Sequence, residues 1–235
     1  FGDQAVRVRQ VNEEAGEYHW SGHQWIKDDQ LSEPFSLMEV FTKPTFWSMS
    51  SLYLSAGFLH ILPKGLDHIL FILGIFLMSM QLRPLVLQVT MFTIAHSLTL
   101  SLGVFRLVHL QPKVVEPLIA LSIAYVAFEN LANDRPNRFR LPVIFVFGLL
   151  HGLGFASILT EFGLPADLYL AALLWFNVGV EFGQVALLIA AYLAITIWFS
   201  DPHVYRRSIV LPGSLLIGGL GAYWTVERVM YYYFS

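Results

Sequence analysis

An all-α, polytopic membrane protein is the fold class this sequence predicts, and three observations predict it. Of its 235 residues 56% are hydrophobic and only 13% charged, where a soluble domain carries roughly 25% charged residues. Mean hydropathy is +0.59. The apolar residues are also gathered into runs of membrane-spanning length, each needing about 20 residues. A net charge of −3 without basic clusters excludes nucleic acid as a partner. There is no cysteine, so disulfides and thiolate chemistry are excluded, and any metal must be held by imidazole, carboxylate, thioether or backbone oxygen.

Residues 1–45 differ in composition from the rest of the chain. They hold eight of the seventeen acidic residues, two of the eight histidines and no long apolar run. Val6–Val11 alternates with period two and reads as a strand. Asn12–Gly16 can turn it into a second strand through Tyr18, Trp20 and Trp25. The expectation is a small water-facing β segment, 1–45, ahead of a helical membrane domain, 46–235. His19 and His23 read as solvated residues of that segment.

Residues 45–62 are apolar but serine-rich and short, with Trp47 and Tyr53 favouring an interface. They read as an interfacial helix, a re-entrant one, or a seventh span. Six spans come after it: Leu66–Leu82, Pro84–Leu107, Val114–Leu131, Leu141–Leu159, Leu168–Phe199 and Ser208–Val226. The fifth exceeds the requirement and must tilt, protrude, or kink near Gly179 or Gly183. Arg83, Arg135, Arg138, Arg140, Arg206 and Arg207 fall on one side, which the positive-inside rule makes cytoplasmic. The plasma membrane is the expected location, with Asp67, His68 and the N-terminal segment on the outer side.

Ionisable residues within such spans mark function by default, since each is costly in lipid. His60, Asp67 and His68 stand within nine residues, split by Pro63-Lys64-Gly65. His96 lies mid-span beside Ser97, and His151 stands next to a Gly148/Gly152 face continued by Ala156 that lets another helix approach closely. Asn177, Glu181 and Gln184 make one stripe at helical spacing. Glu129 ends a further stripe near the cytoplasmic surface, where an ion pair with Arg135 competes with a transport role. Taken singly, each histidine is as readily a hydrogen-bonded structural residue. Taken together, they descend from His60, Asp67 and His68 through His151 and His96 to Glu181 and Glu129. Imidazole and carboxylate suit divalent nickel, cobalt or zinc.

At these residues the chain resembles the HupE/UreJ family of membrane proteins. The resemblance covers about residues 55–200 and rests on His60…Gly65-Leu66-Asp67-His68, Phe92-Thr93-Ile94-Ala95-His96-Ser97, Glu116–Ile123 and His151-Gly152-Leu153-Gly154-Phe155-Ala156. It implies a multi-pass permease linked with nickel or cobalt uptake, an outer His/Asp motif and an extracytoplasmic N-terminus. Six residues separate His60 from Asp67 where the nickel-permease branch has five. Leu153–Ala156 also stand where that branch has a second histidine and a glutamate. The chain is therefore more similar to the second HupE/UreJ group, and Asp67, His68, His96 and His151 carry over best.

Two functions from different classes fit these residues. One is a divalent-metal permease, in which Asp67 and His68 capture the cation and pass it to His96 and His151, with Glu181, Asn177, Gln184, Glu129 and Ser97 along the path. No GxxxxGK[ST] motif is present, so such transport proceeds without ATP hydrolysis by this chain. The other is an intramembrane zinc hydrolase built on the same His/Asp cluster, with an open position for water. Haem held between His96 and His151 is a distant third.

Overall fold

The computed structural model describes residues 4–6, 9–12, 17–20, 24–26, 46–79, 81–105, 107–108, 110–161, 169–195, 198–199 and 201–234. For residues 4–26, 155–161 and 169 it describes the backbone only. Eight helices are labelled α1 Phe46–Ile61, α2 Leu66–Leu77, α3 Leu82–Val104, α4 Pro112–Ala132, α5 Arg140–Glu161, α6 Tyr169–Ile195, α7 Pro202–Tyr205 and α8 Leu211–Phe234. A π-helical turn, Arg206–Val210, joins the last two. Near the N-terminus, Gln4–Val6 pairs antiparallel with Gln24–Ile26, and Arg9–Asn12 with Glu17–Trp20. The reading of 1–45 as a separate water-facing unit falls largely outside the described residues, as do His23, Arg106 and the 162–168 part of the loop after α5.

The count of six spans is corrected. Among the described residues four helical stretches are long and apolar enough to cross a membrane: α3, α4, α6 from Leu170, and Pro202–Phe234. The stretch expected as the first span is only α2, 12 residues. At 1.5 Å per residue it is about 18 Å long, well short of a hydrocarbon core of about 30 Å. It becomes adequate only together with α1, from which it is bent by 66°, and this pair is a fifth candidate. The apolar described part of α5, Arg140–Gly154, falls below spanning length. Residues 46–61, expected as an interfacial, a re-entrant or a separately spanning helix, are one limb of this broken helix, which is either a bent span or a re-entrant loop. Leu121, Phe128, Val146, Leu174 and Phe182 each expose half or more of their surface, which suits lipid and not water. The chain is a multi-pass membrane protein.

The break has a local cause. Pro63, without an N–H and with a fixed φ, cannot extend α1. Gly65 N–H donates to Ile61 O at 3.1 Å, closing the turn, and a Cβ at Gly65 would collide with the His60 carbonyl. Only glycine fits that approach.

Three close helix pairs surround α2. Gly57 and Gly179 let α1 and α6 run side by side in parallel, each lying against backbone of the other helix. Gly148 meets Phe92 and Ala95 while Gly152 meets His96 and Thr99, so α3 and α5 are also parallel. Gly221 against Ala124 and Gly218 against Ala127 make α4 and α8 antiparallel. Packing at such small-residue faces holds helices together where lipid supplies no hydrophobic drive. The Gly148/Gly152 face expected from sequence is thus met by α3; Ala156 lies outside the described side chains. α2 fills the centre, burying His68, Phe71, Ile72 and Gly74–Leu77.

At the far end of α2 a buried arginine ties four helices. Arg140 donates to Glu129 at 2.6 Å, to Gln88 Oε1 at 3.0 Å, to Asn130 Oδ1 at 3.2 Å and to Ile75 O at 3.5 Å. Asn130 in turn donates to Gly74 O at 2.8 Å. Beyond it, Arg206 reaches the carbonyls of Asn130 and Asn133 and pairs with Asp134 at 2.7 Å, closing the end of α4. Asp201 starts α7 by accepting from the N–H groups of Val204 and His203, and these bonds hold its carboxyl below the usual range.

Two outcomes are expected from this packing. Gly57→Val forces α1 off α6 and lowers the thermal unfolding midpoint in detergent, with a loss of about 1–3 kcal/mol. Arg140→Ala strands the Glu129 charge and destabilises by about 3–5 kcal/mol, whereas Arg140→Met with Glu129→Leu recovers most of that loss in the same assay.

Candidate metal centre

The turn at Pro63–Gly65 places the last turn of α1 opposite the first turn of α2, so His60 and His68 meet with ring centroids 4.8 Å apart. His96 reaches them from α3, at 6.2 Å from His60 and 5.9 Å from His68. One ligand nitrogen from each of the three lies within 4.8 Å of the others. His151 arrives from α5, its ring 5.0 Å from His68, although its nitrogens are outside that tight trio. Sequence order placed His60 and His68 well outward of His96 and His151. The structure brings all four imidazoles to one level, because the broken helix carries its middle into the bundle.

The surroundings are apolar. Phe92 packs 5.8 Å from His68 and 4.9 Å from His151, and Phe71 lies 5.3 Å from His151. His96 is fully buried and His151 almost so, at 0% and 1% exposure. In such a place a polar atom without a partner is costly, yet His68 Nε2 and His151 Nε2 make no hydrogen bond, and His96 has only the Asn177 side chain beside it. His151 Nδ1 lies 2.9 Å from the Phe147 carbonyl. With Nδ1–H as donor, the Nε2 lone pair faces the interior, as for a ligand imidazole whose other nitrogen is tied to a carbonyl. Nitrogens around a tetrahedral ion with bonds of about 2.1 Å stand about 3.4 Å apart.

Asp67 does not join the imidazoles. Successive helical residues point about 100° apart, so while His68 faces α3, Asp67 faces α8. There Arg228 Nη2 donates to both carboxylate oxygens at 3.0 Å. Sequence reasoning missed Arg228, because an arginine one residue after Glu227 at the end of a span resembles an ordinary interfacial pair. It also missed the ring wall of Phe71 and Phe92, which apolar periodicity cannot distinguish from core.

A polar seam leaves the cluster between α3 and α6. Asn177 lies beside His96, its amide donating to Leu173 O at 2.8 Å while its oxygen is unpartnered. One turn on, Thr90 donates to Glu181 Oε1 at 2.6 Å, leaving Oε2 buried without a partner. Thr93 and Gln184 meet at 3.0 Å. The stripe read from sequence therefore faces α3, as its spacing requires. Ser97 lies on the same face of α3 as Thr90 and Thr93, and its hydroxyl donates to Thr93 O at 2.6 Å in its own helix. Glu129 is held by Arg140, not Arg135, and is closed off as a free carboxylate.

Comparison with curated proteins finds no match, and neither does comparison with solved structures. A family model described as HupE / UreJ protein matches residues 38–228. That stretch holds the broken helix, all four clustered histidines and Arg228, and on this match over most of its length the chain belongs to the HupE/UreJ family.

Proposed function

We propose that this protein is a permease for a divalent transition-metal cation of the nickel, cobalt or zinc class. The observation that carries the reading is the trio of half-buried His60 and buried His68 and His96, with ligand nitrogens within 4.8 Å and His151 alongside. Neutral nitrogen donors in a cysteine-free pocket select borderline divalent metals over calcium or magnesium, which prefer oxygen. HupE/UreJ membership supports nickel or cobalt as the cargo. In this reading the Asp67 end faces outward and residues 1–45 are extracytoplasmic, while the end carrying Arg140 and Arg206 faces the cytoplasm of a cell's plasma membrane. The cation is captured by imidazole and released along Asn177, Glu181 and Gln184, where oxygen ligands hold such metals more loosely. Glu129 drops out of that path, since Arg140 already engages it, and Ser97 stands beside the path on the Thr90/Thr93 face of α3.

A zinc hydrolase remains the second reading, favoured by one feature. An apolar groove of about 740 Å³ runs between α4 and α5, lined by Leu121, Tyr125, Phe128, Val143 and Phe147. Phe147 lies 6.0 Å from Phe71, whose ring touches His151. A resident zinc would survive dialysis at one equivalent per chain and hydrolyse a lipid-soluble ester; a transported ion would exchange and leave the ester intact.

His68→Ala and His96→Ala are each expected to reduce cellular uptake of nickel or cobalt at least tenfold while membrane abundance is unchanged. Normal accumulation in both variants excludes the imidazole route.

A further inference from the structure

The signature Asp67-His68 is divided by helix geometry: His68 enters the imidazole cluster, and Asp67 turns to the outer end of α8. There its carboxylate is occupied. Arg228 Nη2 contacts both oxygens at 3.0 Å, and Arg228 Nη1 donates to the Glu116 carbonyl in the first turns of α4 at 3.0 Å. The guanidinium carbon also sits 5.7 Å from the centre of the Trp224 ring. The arginine is thus gripped from three helices, yet the pair is not sealed. The side chains of Arg228 and Asp67 are 22% and 28% exposed, so water reaches both. Partly exposed pairs are weak, because water screens the attraction and holding two long side chains in one geometry costs entropy. The Arg140–Glu129 pair at the opposite end is different, with side chains 2% and 10% exposed and further bonds from Gln88 and Asn130.

Asp67 and Arg228 both lie within electrostatic reach of His151. A dication approaching the imidazoles from this end therefore meets a carboxylate whose charge is cancelled by a neighbouring cation. We infer that Arg228 is a displaceable counter-ion: it occupies Asp67 until a divalent cation arrives, and yields the carboxylate to it. Arg228 accordingly sets the affinity and charge selectivity of the entrance, since a monovalent ion gains too little from Asp67 to displace a guanidinium, whereas a dication gains about twice as much. Arg228 is a positioning residue, acting through Asp67 and touching no metal itself. The inference rests on the permease reading for its cargo, and on the ion pair alone for its mechanism.

The test is a double-mutant cycle read by zinc titration of the full-length protein in detergent, zinc being the probe because it does not quench tryptophan. Arg228→Gln is expected to bind zinc about three- to five-fold more tightly than the unaltered chain, and Asp67→Asn more weakly. The gain from Arg228→Gln should at least halve in the Asp67→Asn background. An equal gain in both backgrounds would mean simple charge repulsion and overturns the proposal. So does weaker binding by an Arg228→Gln protein with a normal melting profile. Should Arg228→Gln fail to fold, Trp224→Leu loosens the arginine without touching Asp67 and is expected to tighten zinc binding about twofold, unchanged affinity counting against the proposal. His68→Ala separates the two claims. If it binds as the unaltered chain does while the Arg228–Asp67 coupling persists, the imidazole reading fails and the counter-ion stands. No zinc binding by the unaltered chain overturns both.

Discussion

The bend between α1 and α2 is the constraint on which this structure depends. A straight helix through Phe46–Leu77 would set His60 and His68 on different turns, facing different neighbours. Proline at 63 and the glycine at 65, whose missing Cβ admits the His60 carbonyl, fold the last turn of one limb against the first turn of the next. Two imidazoles are thereby presented in the middle of a bundle, where α3 and α5 add His96 and His151. Backbone irregularity at membrane depth is tolerated only where protein or a polar cavity surrounds it. Here the α1–α6, α3–α5 and α4–α8 pairs provide that enclosure.

The two ends of α2 are treated differently by the charges around them. At its C-terminal end Arg140 is buried and fully engaged, satisfying Ile75 O, Gln88 and Glu129 together. Breaking such a pair leaves an uncompensated buried charge, so this end behaves as a fixed joint. At its N-terminal end the Asp67–Arg228 pair is partly exposed to water. The helix that carries the imidazole is anchored at one end and electrically adjustable at the other. That asymmetry suits a site that must admit a cation from one side.

The unpartnered atoms complete the same picture. Unpartnered buried atoms on His68, His151, Glu181 and Gln184 gather at the metal centre and its seam; elsewhere among the described residues Ser214 Oγ is also unpartnered, while groups such as Thr99 and Asn130 are bonded across helices. Concentration of unmet bonding capacity in one seam is the signature of a place built for a polar guest.

By itself the sequence determined the solvent and the chemistry. Apolar composition required a bilayer, the lack of cysteine left imidazole and carboxylate as ligands, and helical spacing put Asn177, Glu181 and Gln184 on one stripe. The paired glycines at 148 and 152 announced a close helix approach. Tertiary structure alone decided which residues meet. Linear depth along presumed straight spans ranked His60 far from His96, and only the 66° bend brings them together. Asp67 and His68 are neighbours in sequence but point into different environments, and the partner of Asp67 lies 161 residues away. No local pattern carries that information, because an ion pair between helix ends is fixed by how the helices pack, and packing is a property of the whole bundle.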